Sequence, residues 1–266
     1  MPFLSVRPLH TVALAACLLT ATVSPAQDTH PAFAKLAALQ TAPESAGTLV
    51  YRGDTFTQRT PAAAALYRYE RRVLTTTTGL TASHITSDAA GRVLIVESAL
   101  VSPHYATQRF EAVNQQSGFS GSVQISNGGR HLEYELNING KRSTASEEVS
   151  DPVVCGPSLF GFILKHWDPL VAGTSLPVRM LVLQDKTTYG FDLTFDKTVN
   201  GQAAFTLRPS NFVIRMAIAP LRVVFDARTR TAVRYEGRVP PMENVAGKLK
   251  GLDARVEYVS VSPIYR

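Results

Sequence analysis

The alternation of apolar and polar residues between positions 119 and 138 constrains this chain more than any other feature. Phe119, Gly121, Val123 and Ile125 interleave with Ser120, Ser122, Gln124 and Ser126. After Asn127-Gly128-Gly129, Leu132, Tyr134, Leu136 and Ile138 interleave with His131, Glu133, Glu135 and Asn137. Successive side chains of a strand point to opposite faces, so each run has one dry and one wet face. Asn-Gly supplies the positive φ angles of a tight reversal. Asn139-Gly140 offers a second one, into a strand over 141–149.

The pattern recurs along the chain. Strands are expected over 65–76, 79–87, 92–100, 105–114, 176–184, 188–199 and 203–207. Phe212, Ile214, Met216 and Ile218 share a strand face, followed by Val223 and Phe225, then Val233, Tyr235 and Val239, and last Ala254, Val256 and Tyr258. About a dozen strands at 8–12-residue spacing indicate an antiparallel barrel or sandwich. With so few helices the sheet must cover its own apolar face, which favours a large curled antiparallel sheet, a half-barrel or barrel.

Two segments break the rhythm. PAFAKLAALQTAP reads as a short N-terminal helix, Ala32 to Gln40. Cys155-Gly156-Pro157-Ser158 opens a second, over 157–167, which Asp168-Pro169 should stop. Leu159, Phe160, Phe162, Ile163 and Trp167 cover most of it, too apolar a surface for water, so it belongs in or over the concavity. If a gap lies beside it, Leu159, Phe160, Ile163 and Trp167 line a site for an apolar ligand such as a lipid.

The N-terminus has the layout of an export signal. Arg7 precedes the apolar run Thr11 to Val23, and Ser24-Pro25-Ala26 places small residues for cleavage after Ala26. The run is shorter than the roughly 20 residues a membrane span needs, so no transmembrane segment remains after signal removal. Leu14-Ala15-Ala16-Cys17 also has the form of a lipobox, which gives an alternative: a lipoprotein anchored through Cys17. The expected organisation is a signal peptide over 1–26, a helical segment over 27–45 and one β-rich domain over 46–266. Only Cys155 remains after cleavage, so packing rather than a disulfide must stabilise the fold. The single Cys and the lack of any Asn-x-Ser/Thr sequon fit a bacterial periplasmic or secreted protein.

Charge is uneven. Residues 27–207 hold 15 Lys/Arg and 16 Asp/Glu, whereas 208–266 hold 11 and 5. The Arg-rich 208–266 region is either a solvated strand face or a surface for an anionic envelope component. Nothing indicates a nucleic-acid partner.

Catalytic signatures are missing. No G-x-S-x-G, H-E-x-x-H, Cys/His cluster or phosphate-binding glycine loop occurs, so no catalytic residue, metal or cofactor is assigned. Arg52-Gly53-Asp54 suggests a turn. Asp192 and Asp196 share a strand face as solvated acids. His84, His104, His131 and His166 are scattered without a nameable partner, with His131 on a wet face and His166 at a helix end that favours its charged form. Cys155 precedes a helix start, where a thiol pKa can fall, or is a small buried residue.

Gly156-Pro157 with Trp167-Asp168, and Phe225-Asp226 with Arg234-Tyr235-Glu236-Gly237, resemble strings in exported bacterial proteins of unknown function. Those in turn are similar in architecture to the curled-sheet carriers of lipoproteins and lipids in the periplasm. The resemblance implies an envelope location and an apolar cavity. Three functions follow: a periplasmic carrier of an apolar ligand, a structural or interaction protein with a filled core, or an enzyme whose site comes from distant residues.

Overall fold

The computed structural model describes residues 31–58, 64–211, 215–216 and 218–262. Cys17, Ala26, Phe212 and Ile214 lie outside them.

Eight strands come first: β1 (Thr48–Thr57), β2 (Tyr67–Thr76), β3 (Gly79–Ser87), β4 (Val93–Val101), β5 (Thr107–Asn114), β6 (Phe119–Ser126), β7 (His131–Ile138) and β8 (Lys141–Glu148). Then come the two-residue β9 (Val153–Val154) and the helices α2 (Gly156–Lys165) and α3 (Trp167–Val171). The chain continues with β10 (Leu176–Val182), β11 (Thr187–Val199), β12 (Gln202–Pro209), β13 (Leu221–Asp226), β14 (Ala232–Val245) and β15 (Lys248–Ser260). Helix α1 (Pro31–Thr41) precedes them all.

These strands form one 15-stranded sheet in the order β8-β7-β6-β5-β4-β3-β2-β1-β15-β14-β13-β12-β11-β10-β9. Neighbours are antiparallel except β9, which runs parallel to β10. The sheet is curled and not closed. The expectation of about a dozen strands becomes fifteen among the described residues, with β1 and β9 as additions, and β14 and β15 run far beyond their apolar segments. Arg52-Gly53-Asp54 is no turn but the middle of β1. There Gly53 stands between Tyr258 of β15 and Tyr69 of β2. A Cβ at Gly53 would lie 2.9 Å from Tyr258 Cδ1, so the glycine lets the two rings meet at 5.3 Å across it. The strand expected through Met216 is also corrected, since Arg215 and Met216 form a helical turn with Met216 exposed.

The two edges of the sheet, β8 and β9, approach without a ladder of their own. A carboxylate spans the seam. Glu147 on β8 accepts the Thr188 backbone N–H at 2.9 Å, the Thr188 hydroxyl at 2.5 Å, Arg179 Nη2 at 3.2 Å and the Tyr134 hydroxyl at 2.9 Å. Burial would raise this carboxyl's pKa, but these hydrogen bonds outweigh it and hold the group below its ordinary range. Leu181 and Leu183 reinforce the seam by joining the apolar cluster that Leu132, Tyr134 and Leu136 build across β6 and β7.

One end of the barrel is tied by a bulge. Pro240 and Pro241 cannot donate to a ladder, and the β14–β15 register slips between Val239 and Met242. Met242 N–H donates to Gln116 Oε1 at 3.1 Å, Gln116 Nε2 to Tyr67 Oη at 3.0 Å, and Tyr67 Oη to the Met242 carbonyl at 2.6 Å. This ring joins β14 to the β5–β6 turn across the barrel end.

The convex face is polar. Arg222 pairs with Asp196 and Glu236, Arg234 with Glu236, Arg255 with Glu257 and Arg52 with Glu70, all on outward positions of β1, β2 and β11–β15. A membrane-spanning barrel turns an apolar band outward, and this face is charged at mid-strand. No described helix is long and apolar enough to cross a membrane. Helix α1 covers part of the convex side, packing Leu36 and Leu39 on Ile85, Val96 and Val113.

Candidate functional site

The concavity holds α2. Its start is fixed by Ser158, whose Oγ accepts the Cys155 backbone N–H at 2.9 Å and lies 3.0 Å from the Thr107 hydroxyl on β5. The helix ends at His166, two residues before the expected stop, and resumes as α3. Pro169 sits in the first turn of that new helix, where its missing N–H costs nothing.

Leu159, Phe160, Ile163 and Trp167, the residues expected to line a ligand site, are all brought into one core cluster. Phe160 meets four rings of the wall: Tyr51 at 6.3 Å, Tyr258 at 5.5 Å, Phe225 at 5.9 Å and His84 at 6.4 Å between centroids. Trp167 stands 4.9 Å from Phe205 and 5.7 Å from Phe225, with the Arg230 guanidinium 5.0 Å over its ring. Ile163 is 0% exposed and Trp167 6%. Each of the four is thus occupied with contacts to the protein itself. On the far side of α2, Tyr105 presses against Gly161, where a Cβ would clash with the Cδ1–Cε1 edge of its ring.

Beside the start of α2 lies a polar row the sequence did not disclose. Register places Arg71 of β2 opposite His84 of β3, and His84 opposite Glu97 of β4, all facing inward. Arg71 Nη1 is 2.6 Å from His84 Nε2, and His84 Nδ1 is 4.0 Å from Glu97 Oε2. The guanidinium also lies 5.4 Å from the centre of the Phe160 ring. Gly156 faces both His84 and Glu97, and Tyr69 packs its ring 4.9 Å from the imidazole.

Electrostatics follow from burial. His84 is held well below its ordinary pKa by burial and then by the Arg71 charge, so its ring stays neutral. Burial raises Glu97 to about 7. Burial likewise pushes the Cys155 thiol up to about 12, which makes it the small buried residue and not a reactive thiolate. The row can therefore take up a proton at Glu97 near neutrality. It also pins α2, because Arg71 touches both the helix's Phe160 and the wall's His84.

The other histidines are peripheral. His131 is on the wet face as expected, its pKa raised by hydrogen bonds to Glu148 and Glu133. His166 departs from expectation: burial and then Lys165 lower its pKa, outweighing the helix end. Asp196 receives the Thr206 hydroxyl and two arginines and is no partner for Asp192. No group of three or more His, Cys, Asp or Glu placed to hold a metal occurs among the described residues.

No family model matches the chain, and no curated protein does. Among solved structures it is similar to a β-barrel-like protein of a domain of unknown function, DUF1849, from Brucella abortus. That likeness has 6% identity and a TM-score of 0.35, over 81% of this chain and 97% of that one. A porin-like protein from Bacteroides uniformis is similar at 6% identity and TM-score 0.21, over 80% and 96%. A thioesterase II described as putative, from Thermobifida fusca, follows at 12% identity and TM-score 0.14, over 85% and 86%.

Proposed function

We propose that this chain is an exported cell-envelope protein, periplasmic or secreted, whose barrel is a solid scaffold acting through its outer surface. The observation that carries the reading is the seating of α2. Phe160 and Trp167 spend their surface on Tyr51, Tyr258, Phe205 and Phe225, which leaves the helix in the role a ligand would otherwise fill. The export layout from Arg7 to Gln27 supports the location, with anchoring through Cys17 as its alternative form. The buried row of Arg71, His84 and Glu97 serves here to lock the helix and carries no turnover.

Trp167 tests the reading, because it is the chain's only tryptophan. Its fluorescence should not respond to a panel of fatty acids and phospholipids, and Phe160→Ala should lose roughly 3–5 kcal/mol of stability, the usual result of truncating a buried Phe. A saturable response, with Phe160→Ala weakening binding more than folding, would establish the apolar-ligand carrier instead. N-terminal sequencing of the mature protein should begin at Gln27.

A further inference from the structure

The charged convex face has one place where the pattern opens. Across the register of β11 to β14, Lys197 stands opposite Ala204, Ala204 opposite Val224, and Val224 opposite Arg234. The row runs long cation, short apolar, short apolar, long cation. Ala204 and Val224 are 3% and 2% exposed, so they form a dry floor with a cation at either side. Arg222, one row along, closes a third side, and Gln202 lines the open end. The resulting trough has a volume of about 310 Å³.

No carboxylate lines this trough. The nearest acids, Asp196 and Glu236, stand in the next row. Asp196 is 3.8 Å from Arg222 Nε, and Glu236 is 3.7 Å from Arg222 Nη1 and 2.8 Å from Arg234 Nε. The two Arg222 distances exceed hydrogen-bonding range. Its Nε, shielded from water, makes no hydrogen bond. Lys197 pairs with no carboxylate among the described residues; its neighbour Asp196 serves Arg208 and Arg222. Four cations, Arg208 included, thus stand against two acids.

We infer that this trough is a binding site for a phosphate group, held by Lys197, Arg222 and Arg234. Cations from three strands line one trough on separate sides, which suits a tetrahedral anion better than a planar carboxylate with two oxygens. Arginine forks take pairs of phosphate oxygens, and lysine adds a point charge. The buried floor of Ala204 and Val224 removes water from one side of the contacts. The phosphate can belong to a soluble phosphorylated compound or to an anionic phospholipid headgroup. The inference deepens the outer-surface reading and rests on it only for the choice of face; Trp167 tests the core separately.

The full mature chain should be titrated calorimetrically with inorganic phosphate, and sedimented with vesicles of phosphatidylcholine alone or mixed with phosphatidylglycerol, at about 150 mM salt. Lys197→Glu is the principal variant, because an exposed, unpaired side chain can be reversed without disturbing the fold; its melting temperature should match the parent's. Arg234→Gln is the second. Lys141→Gln with Arg142→Gln, on β8, removes two positive charges elsewhere and is the control. We expect saturable binding that both trough variants weaken at least about tenfold and the control leaves unchanged. Binding of inorganic phosphate identifies a soluble source; binding only to phosphatidylglycerol vesicles identifies a headgroup, and either supports the site. No binding in either arm, or an equal loss in the control, overturns it.

Discussion

Arg71 and Arg72 are consecutive on β2 and meet opposite faces of the sheet. Arg71 turns inward, where His84 and Phe160 enclose it. Arg72 turns outward to Glu70 at 2.9 Å and the Gly47 carbonyl at 3.2 Å, among the ion pairs of the convex side. Inward polar groups lie in low dielectric, where leaving one unsatisfied is costly and proton affinities move. Outward pairs exchange with water, and each contributes little. The concave face therefore decides whether the chain folds, whereas the convex face is free to carry recognition.

Substitutions that cross this divide should have the largest effect. Leu136 faces the concavity at 2% exposure, and Leu136→Asp should cost more than about 4 kcal/mol by burying an unpaired charge, read as loss of the folded baseline in urea. The seam comes next. Glu147→Ala strands the Thr188 N–H and the Tyr134 hydroxyl and should cost about 3 kcal/mol, with hydrogen exchange at Thr188 and Arg179 quickening first.

Glu97→Gln is a finer test, since its effect depends on pH. The folded-state value of about 7 lies above the ordinary 4.5, so protonation favours the fold; this stabilisation is full below 4.5 and lost as the pH rises through 7. The variant keeps the neutral form throughout. At pH 8 it should be more stable than the parent by on the order of 2 kcal/mol, with the difference shrinking as the pH falls towards 4.5. His84, with its lowered value, acts oppositely and costs both proteins stability as the pH drops below 6.5. A difference that stays constant with pH would mean Glu97 is not the titrating group. The smallest effect belongs outside. Glu135→Lys replaces the exposed partner of Arg142 and should shift stability by less than about 0.5 kcal/mol in the same urea series.

The hairpin of β6 and β7 was legible because each of its faces keeps one polarity for its whole length. β1 was not. Its inward positions are Tyr51, Gly53 and Thr55, a bulge adds Val50 to the same core, and Phe56 lies on the outer face against Arg255, so alternation fails. The distal halves of β14 and β15 hide behind PPMENVAGKLKG, where hydrogen-bond pairing, not burial, maintains the strands. The segment Phe212 to Ile218 shows the converse error, apolar spacing without a strand at Met216. The apolar helix was plain from composition, but its fit against the wall was not, since that depends on which strands bring Tyr258 and Phe225 to Phe160. For the same reason Arg71, His84 and Glu97 gave no signal: three residues on three strands converge only once the registers are known. His84 was visible as a histidine and lacked only its neighbours.

The order of strands has a kinetic consequence. β8 and β9 are consecutive in the chain but occupy opposite edges of the sheet, whereas β1 and β15 pair at its centre, Tyr51 with Ser260 and Thr57 with Ala254. The two meanders, β1–β8 and β10–β15, each consist of local pairings that can zip as they emerge. The ladder that joins them is the pairing of greatest sequence separation, and the search for it is slow because the loop to be closed is nearly the whole chain. A polypeptide missing its last strand would leave β1 and β14 as two open edges in the middle of the sheet, so this architecture cannot be completed before the final residues of β15 are available.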